Sequence, residues 1–118
     1  MSIQRAEGFA ELGMWQDCWE AINELSGGEK SGREAERLRL RCCGPLQAWD
    51  LGAKLAYRLG QRLVEDRRAA AGFWLALGRA DFALAHDCIS AAVNAWPECR
   101  EEVIGDPVLR KAIFAICS

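Results

Sequence analysis

The sequence predicts an all-α chain of stacked helical hairpins closed by a capping helix, and three observations lead there. The chain repeats itself: Cys18, Gly52 and Ala85 share one register at offsets of 34 and 33 residues. Trp15, Trp49 and Phe82 stand three residues before them, Ile22, Ala56 and Ile89 four after, and Leu25, Leu59 and Ala92 seven after. An aromatic, a small residue and two further apolar residues at helical spacing describe one buried face, and a repeat of this length marks stacked helical units that cannot bury their apolar faces alone. Helix-forming and helix-stopping signals alternate along the chain. No segment shows the period-two alternation of a strand.

Each element follows from local chemistry. Ile3 to Leu12 forms a first helix, with Ala6, Phe9 and Ala10 apolar, ended near Gly13. Trp15 to Leu25 forms a second, its stripe made by Trp15, Cys18, Trp19, Ile22 and Leu25. Ser26 to Gly32 is rich in glycine and serine and predicts a loop. Arg33 to Cys43 is a charged helix with Leu38 and Leu40 apolar, and Gly44-Pro45 ends it because proline lacks a donor and disfavours a helical residue before it. Gln47 to Leu59 follows, closed by Gly60. The third pair spans Asp66 or Arg67 to Leu77 and Asp81 to Ala95, with Asp66 and Asp81 as N-caps and Trp96-Pro97 as the stop. A short acidic turn from Glu98 to Ile104 leads into a last helix, Pro107 to Cys117, with Asp106 as its N-cap and Pro107 where a missing N–H costs nothing. Its stripe is Val108, Leu109, Ala112, Ile113 and Ile116, and it covers the last exposed face.

Composition narrows the function classes. A chain of 118 residues can bury a core without disulfides or metals. A formal charge of -2 and a pI near 5.4 disfavour a nucleic-acid binder, which carries a basic face. No apolar run approaches a membrane span, and residues 1–7 lack the apolar segment of a secretory signal, so a cytoplasmic location without membrane attachment is the expectation. The six cysteines, Cys18, Cys42, Cys43, Cys88, Cys99 and Cys117, form no Cys-x-x-Cys pair and no zinc framework. Cys18, Cys43 and Cys88 fall on faces read as buried, where a free thiol packs as a small hydrophobe. His86 and Cys88 are two apart on a helix and do not face each other, so they make neither a metal site nor a nucleophile–base pair. No glycine-rich phosphate loop is present. The expectation is a protein with no cofactor, no metal and no catalytic activity.

The turns Leu12-Gly13-x-Trp15-x-x-Cys18 and Ala80-Asp81-Phe82-x-x-Ala85, with Leu25 and Ala92 after them, resemble the tetratricopeptide repeat family. The stretch from Phe82 to Pro97 carries the resemblance best, Trp49 to Leu59 more loosely, and together the matching residues cover about 3–97. The resemblance implies a right-handed α-solenoid of three antiparallel hairpins in one domain over 1–118, with repeats over about 1–32, 33–65 and 66–98 and a cap over 99–118. The chain departs from the family at Leu40 and Phe73, which stand where a small residue is usual.

Such repeats resemble interaction scaffolds whose first helices line a groove that accepts an extended peptide or a partner helix. Transferred to this chain, the groove residues are Glu7 and Glu11, then Arg37 and Arg41, then Ala70 and Trp74 with Arg67 beside them. Arg37 and Arg41 are four apart and share a helix face. Two guanidiniums beside a tryptophan suit an acidic or carboxylate-bearing peptide. The bland alternative is a solvated face of mixed charge, since Glu34 and Glu36 interrupt the arginines. Trp15, Trp49 and Phe82 are expected to wedge paired helices together, and Trp96 to meet the capping helix. The leading expectation is an adaptor that binds a protein or peptide partner. Also open are a structural or self-associating subunit, a homodimer closing on Trp74 or the terminal helix, and a small helical-repeat chaperone.

Overall fold

In a computed structural model, residues 3–30 and 32–117 are described, the side chains of 29, 30 and 114–117 excepted. These residues are helical throughout their ordered elements and contain no strand. The helices are α1 (Ile3–Glu11), α2 (Trp15–Asn23), α3 (Gly27–Lys30), α4 (Arg33–Cys43), α5 (Trp49–Leu59), α6 (Val64–Ala80), α7 (Ala85–Ala95), α8 (Arg100–Gly105) and α9 (Pro107–Cys117). Single 3₁₀ turns at Phe82–Leu84 and Pro97–Cys99 precede α7 and α8. The contacts gather into two units, Met1–Leu55 and Ala56–Ser118. The side chains of Ile116 and Cys117, which the sequence assigns to the last stripe and to the thiols, lie outside the described residues.

Within the first unit α1 packs on α2, and both pack on α4. The turn between α1 and α2 needs glycine: Gly13 has φ of +74°, in the left-handed region, and its N–H donates to the Ala10 carbonyl at 3.0 Å. Ala6 and Ala10 of α1, Cys18, Ala21 and Ile22 of α2, and Ala35, Leu38 and Cys42 of α4 make the core, with Phe9, Trp15, Trp19 and Leu46 packed partly buried around it. The charged run of α4 thus buries Ala35, Leu38 and Cys42 in this core, and Leu40 and Cys43 besides, and leaves the stripe of Glu34, Arg37 and Arg41 for charge.

Within the second unit α6 packs along α7, and α9 packs against both. Gly78 sits at the crossing. A methyl built there would stand 3.3 Å from Cys88 Cβ, 3.3 Å from Leu109 Cδ2 and 3.5 Å from Ala85 Cα. Two helices therefore meet α6 at a position with no room for a side chain. Asp106 starts α9 as an N-cap, accepting from the N–H of Val108 at 2.9 Å and of Leu109 at 3.2 Å. Its other oxygen accepts from Arg79 Nε at 2.6 Å, which ties the end of α6 to the start of α9. The Arg79 hydrogen bond and these two backbone donors hold the Asp106 carboxyl below its ordinary value.

The buried face expected from the repeat is present. Cys18, Gly52 and Ala85, Ile22, Ala56 and Ile89, and Leu25, Leu59 and Ala92 are all buried. Leu40 and Phe73, bulky at a usually small position, are buried too.

Several boundaries and one wedge differ from the sequence reading. Phe82 is 53% exposed, so it does not wedge a helix pair. The Asp81 side chain accepts from the Ala83 N–H at 3.1 Å, opening a 3₁₀ turn in which Phe82 faces outward instead of starting an α-helix. α6 begins at Val64, so Asp66 is not the N-cap but a buried acid in the first turn, where the helix dipole favours a carboxylate. α5 begins at Trp49, not Gln47, because Gln47 has φ of +58° and cannot continue into a right-handed helix. The stretch from Ser26 to Gly32 contains the single helical turn α3, since glycine in a helix costs only about 1 kcal/mol relative to alanine.

Gly72 is helical with nothing within 4 Å of an added methyl, so Gly72→Ala should stabilise by about 0.5–1 kcal/mol. At Gly78 the same gain meets overpacking of about 1–3 kcal/mol. Urea unfolding should rank Gly72→Ala above wild type and Gly78→Ala below Gly72→Ala; equal stabilisation by both would contradict the close crossing. Asp106→Ala should cost about 1–2 kcal/mol near pH 7, from a lost cap and a partly exposed ion pair. Because the folded carboxyl titrates lower than the unfolded one, its contribution is present above the unfolded value near 3.9 and is lost as pH falls through the folded value. The stability gap between wild type and Asp106→Asn, which keeps a capping oxygen, should therefore narrow in acid, and a gap unchanged by pH would contradict the ion pair.

Candidate functional site

The helical period that buries Ala6 and Ala10 places Glu7 and Glu11 together on the adjoining face of α1. On α4, burial of Ala35, Leu38 and Cys42 leaves Glu34, Arg37 and Arg41 along the neighbouring stripe. These two faces line one open cleft of about 320 Å³ in the first unit, formed by Glu7, Glu11, Glu34, Arg37 and Arg41 with Leu38 also in its lining. Four of the six residues that the resemblance implies for a groove thus come together: Glu7, Glu11, Arg37 and Arg41.

Ala70 and Trp74 belong to the second unit. Ala70 is 0% exposed, and its Cβ lies 3.8 Å from the point where Gly60 would carry a methyl. It is a core residue with no side chain to offer a partner. Trp74 is 8% exposed and lies edge-on to both Tyr57 and Phe73, with ring centroids 5.4 Å apart in each case. The tryptophan beside the cleft arginines is Trp15, at the start of α2, with the Arg41 guanidinium 5.9 Å from its ring centre. Sequence reasoning misses Glu34 and Leu38 as lining residues. Their spacing is the signal that finds them: Glu34 stands three and seven residues before Arg37 and Arg41, and Leu38 four after Glu34 and three before Arg41.

The cleft is electrically mixed. Its lining carries three carboxylates and two guanidiniums, so an acidic peptide would meet Glu7, Glu11 and Glu34 along with the arginines. Arginines also frame the first unit beyond the cleft. Arg39 lies 4.5 Å over the Trp19 ring and donates to Asn23 Oδ1 at 3.1 Å, joining α4 to α2. Arg5 pairs with Glu24 at 3.6 Å and lies 5.6 Å over Phe9. Burial holds Arg39 below its ordinary value.

No protein-family model, no curated protein and no solved structure matches this chain.

The thiols of the described side chains are buried packing groups. Cys18, Cys42, Cys43, Cys88 and Cys99 are free and buried. Burial pushes Cys43 up to about 11, against the pull of Arg39, and Cys88 up to about 11 with Asp87 and Asp81 adding to it. Cys42 is raised furthest, by burial and by the neighbouring Cys18 thiol. Thiols in this state stay protonated at neutral pH and are poor nucleophiles. His86 is exposed, its Nδ1 3.8 Å from Asp87 Oδ1, a contact that carries charge only when the imidazole is protonated. Among the described residues no group of three or more His, Cys, Asp or Glu side chains is gathered as a metal site, and no helix is long and apolar enough to cross a membrane.

Proposed function

We propose that this chain is a protein-interaction module that holds a partner helix or extended peptide in the cleft between α1 and α4. One observation carries the reading: a pair of carboxylates on α1 and a pair of guanidiniums on α4, each at helical i, i+4 spacing, line one open cleft together with Glu34 and Leu38. A partner that places basic side chains against Glu7 and Glu11 and acidic ones against Arg37 and Arg41 would be aligned in register, because charge complementarity across an interface selects orientation and disfavours wrong partners. The occupant is therefore a segment of mixed charge rather than a purely acidic one. A tetratricopeptide-like, right-handed stacking of the hairpins is part of the same proposal, supported by the nine aligned positions that are buried in register. A reducing, cytoplasmic setting is supported by five free thiols.

The test is capture from lysate of the source cells, with wild type beside the double variants Arg37→Glu/Arg41→Glu and Glu7→Arg/Glu11→Arg, each checked for an unchanged helical spectrum and melting temperature. A partner held by wild type should bind both folded variants at least about tenfold more weakly, a loss of about 1.4 kcal/mol or more. A partner retained equally by both variants, or a chain that captures only its own copies, would contradict the proposal.

A further inference from the structure

The second unit holds a separate cavity of about 410 Å³, walled by Tyr57 and Trp74 and edged by Asp87, Ser90 and Asn94. Its origin lies in the stripe of α7. Ala85, Cys88, Ala92 and Ala95 are buried, so Asp87, Ser90 and Asn94 fall together on the next stripe along the helix. That stripe offers a carboxylate, a hydroxyl and an amide oxygen. Tyr57, in the same lining, is 68% exposed and is held on one side by the edge-on Trp74 ring at 5.4 Å and 78°. Space between the walls is kept by short side chains. Gly60 lines the cavity, and a methyl there would stand 2.9 Å from the Ala56 carbonyl oxygen and 3.6 Å from Ala95 Cβ.

The lining holds one formal charge, the Asp87 carboxylate, and no lysine or arginine. An exposed aromatic ring sharing a cavity with a carboxylate and an amide oxygen is the chemistry that recognises a cation. The rest of the chain shows which cation fits. Phe9, Trp19, Trp15 and Trp96 each carry one of the chain's own arginines, Arg5, Arg39, Arg41 and Arg68, at 4.5–5.9 Å from the ring centre. Among the described residues no arginine is stacked on Tyr57 in this way. Another open cavity of the unit, beside Glu98, Glu101 and Glu102, already has a cation in Arg68 over Trp96.

We infer that the Tyr57–Asp87 cavity is a docking pocket for an arginine side chain presented by a partner peptide. The guanidinium would stack on Tyr57 and direct its planar fork of donors at the Asp87 carboxylate and the Asn94 amide oxygen, which an ammonium cannot do at once with a stacked plane. This pocket is independent of the α1–α4 cleft: either can fail without the other.

The test uses the full-length chain, labelled with ¹⁵N, titrated with acetyl-Gly-Arg-Gly-amide and with the same peptide carrying citrulline, the neutral near-isostere of arginine. The arginine peptide should shift the backbone amides of Tyr57, Ser90 and Asn94 saturably, and citrulline should bind about tenfold more weakly. Tyr57→Ala and Asp87→Asn should each weaken the arginine peptide about three- to tenfold with the rest of the spectrum unchanged, as expected for residues this exposed. Asp87→Lys provides a second variant at a site that is 88% exposed and should abolish binding. The Arg37→Glu/Arg41→Glu variant should bind the peptide as wild type does. Equal binding of citrulline, shifts confined to other residues, or no saturable shift would overturn the inference.

Discussion

A helix can approach its neighbour closely only where the facing side chain is short, and both units are built on that requirement. Cys18 is fully buried in α2, where α1 and α4 converge, and Ala85 is fully buried in α7 beneath the crossing at Gly78. Around each small residue further apolar groups follow at four and seven positions on, Ile22 and Leu25 after Cys18 and Ile89 and Ala92 after Ala85, so packing consumes that stripe. A tight crossing also explains the buried thiols. Cysteine is small enough to sit at the contact and apolar enough to stay there, and burial keeps it protonated.

What packing does not consume is set aside on the adjoining stripes, and those stripes differ between the units. In the first unit they carry full charges of both signs around an open cleft. In the second, α7 carries one carboxylate among neutral polar groups facing an exposed tyrosine. Arginine over an aromatic ring recurs through the chain, tying α4 to α2 through Arg39 and Trp19 and α6 to the turn before α8 through Arg68 and Trp96. The same contact that braces the fold internally is thus the one that the second unit's pocket offers outward.

Much of this was legible in the residues. Repetition of Trp15-x-x-Cys18, Trp49-x-x-Gly52 and Phe82-x-x-Ala85 located the buried faces, because burial follows helical period whatever the tertiary arrangement. Asp106-Pro107 located the start of α9, since both residues act through local backbone chemistry. Less legible were features decided by one or two backbone angles. Gln47 in the left-handed region delayed α5, and the Asp81 cap turned Phe82 outward. Glu7, Glu11, Arg37 and Arg41 line one cleft because each pair sits one turn apart beside a buried stripe. Ala70 and Trp74 lie apart from that cleft, in the second unit, Ala70 in the core and Trp74 in the wall of the other cavity, because a helix-face register alone does not tell which neighbour a face meets. The arginine pocket left no sequence signal: it joins Tyr57 to Asp87 through packing across thirty residues.

The division between a packed stripe that folds the chain and a charged stripe left over for a partner can be measured by neutralising the cleft. Glu7→Gln, Glu11→Gln, Glu34→Gln, Arg37→Gln and Arg41→Gln together keep the aliphatic stems and remove all five charges. Urea unfolding of this variant should show a loss of no more than about 2 kcal/mol, since exposed ion pairs and a single exposed cation–π contact contribute little each. A loss several times larger, or an unfolded first unit, would mean that the charges hold the helices together and that the cleft is structural.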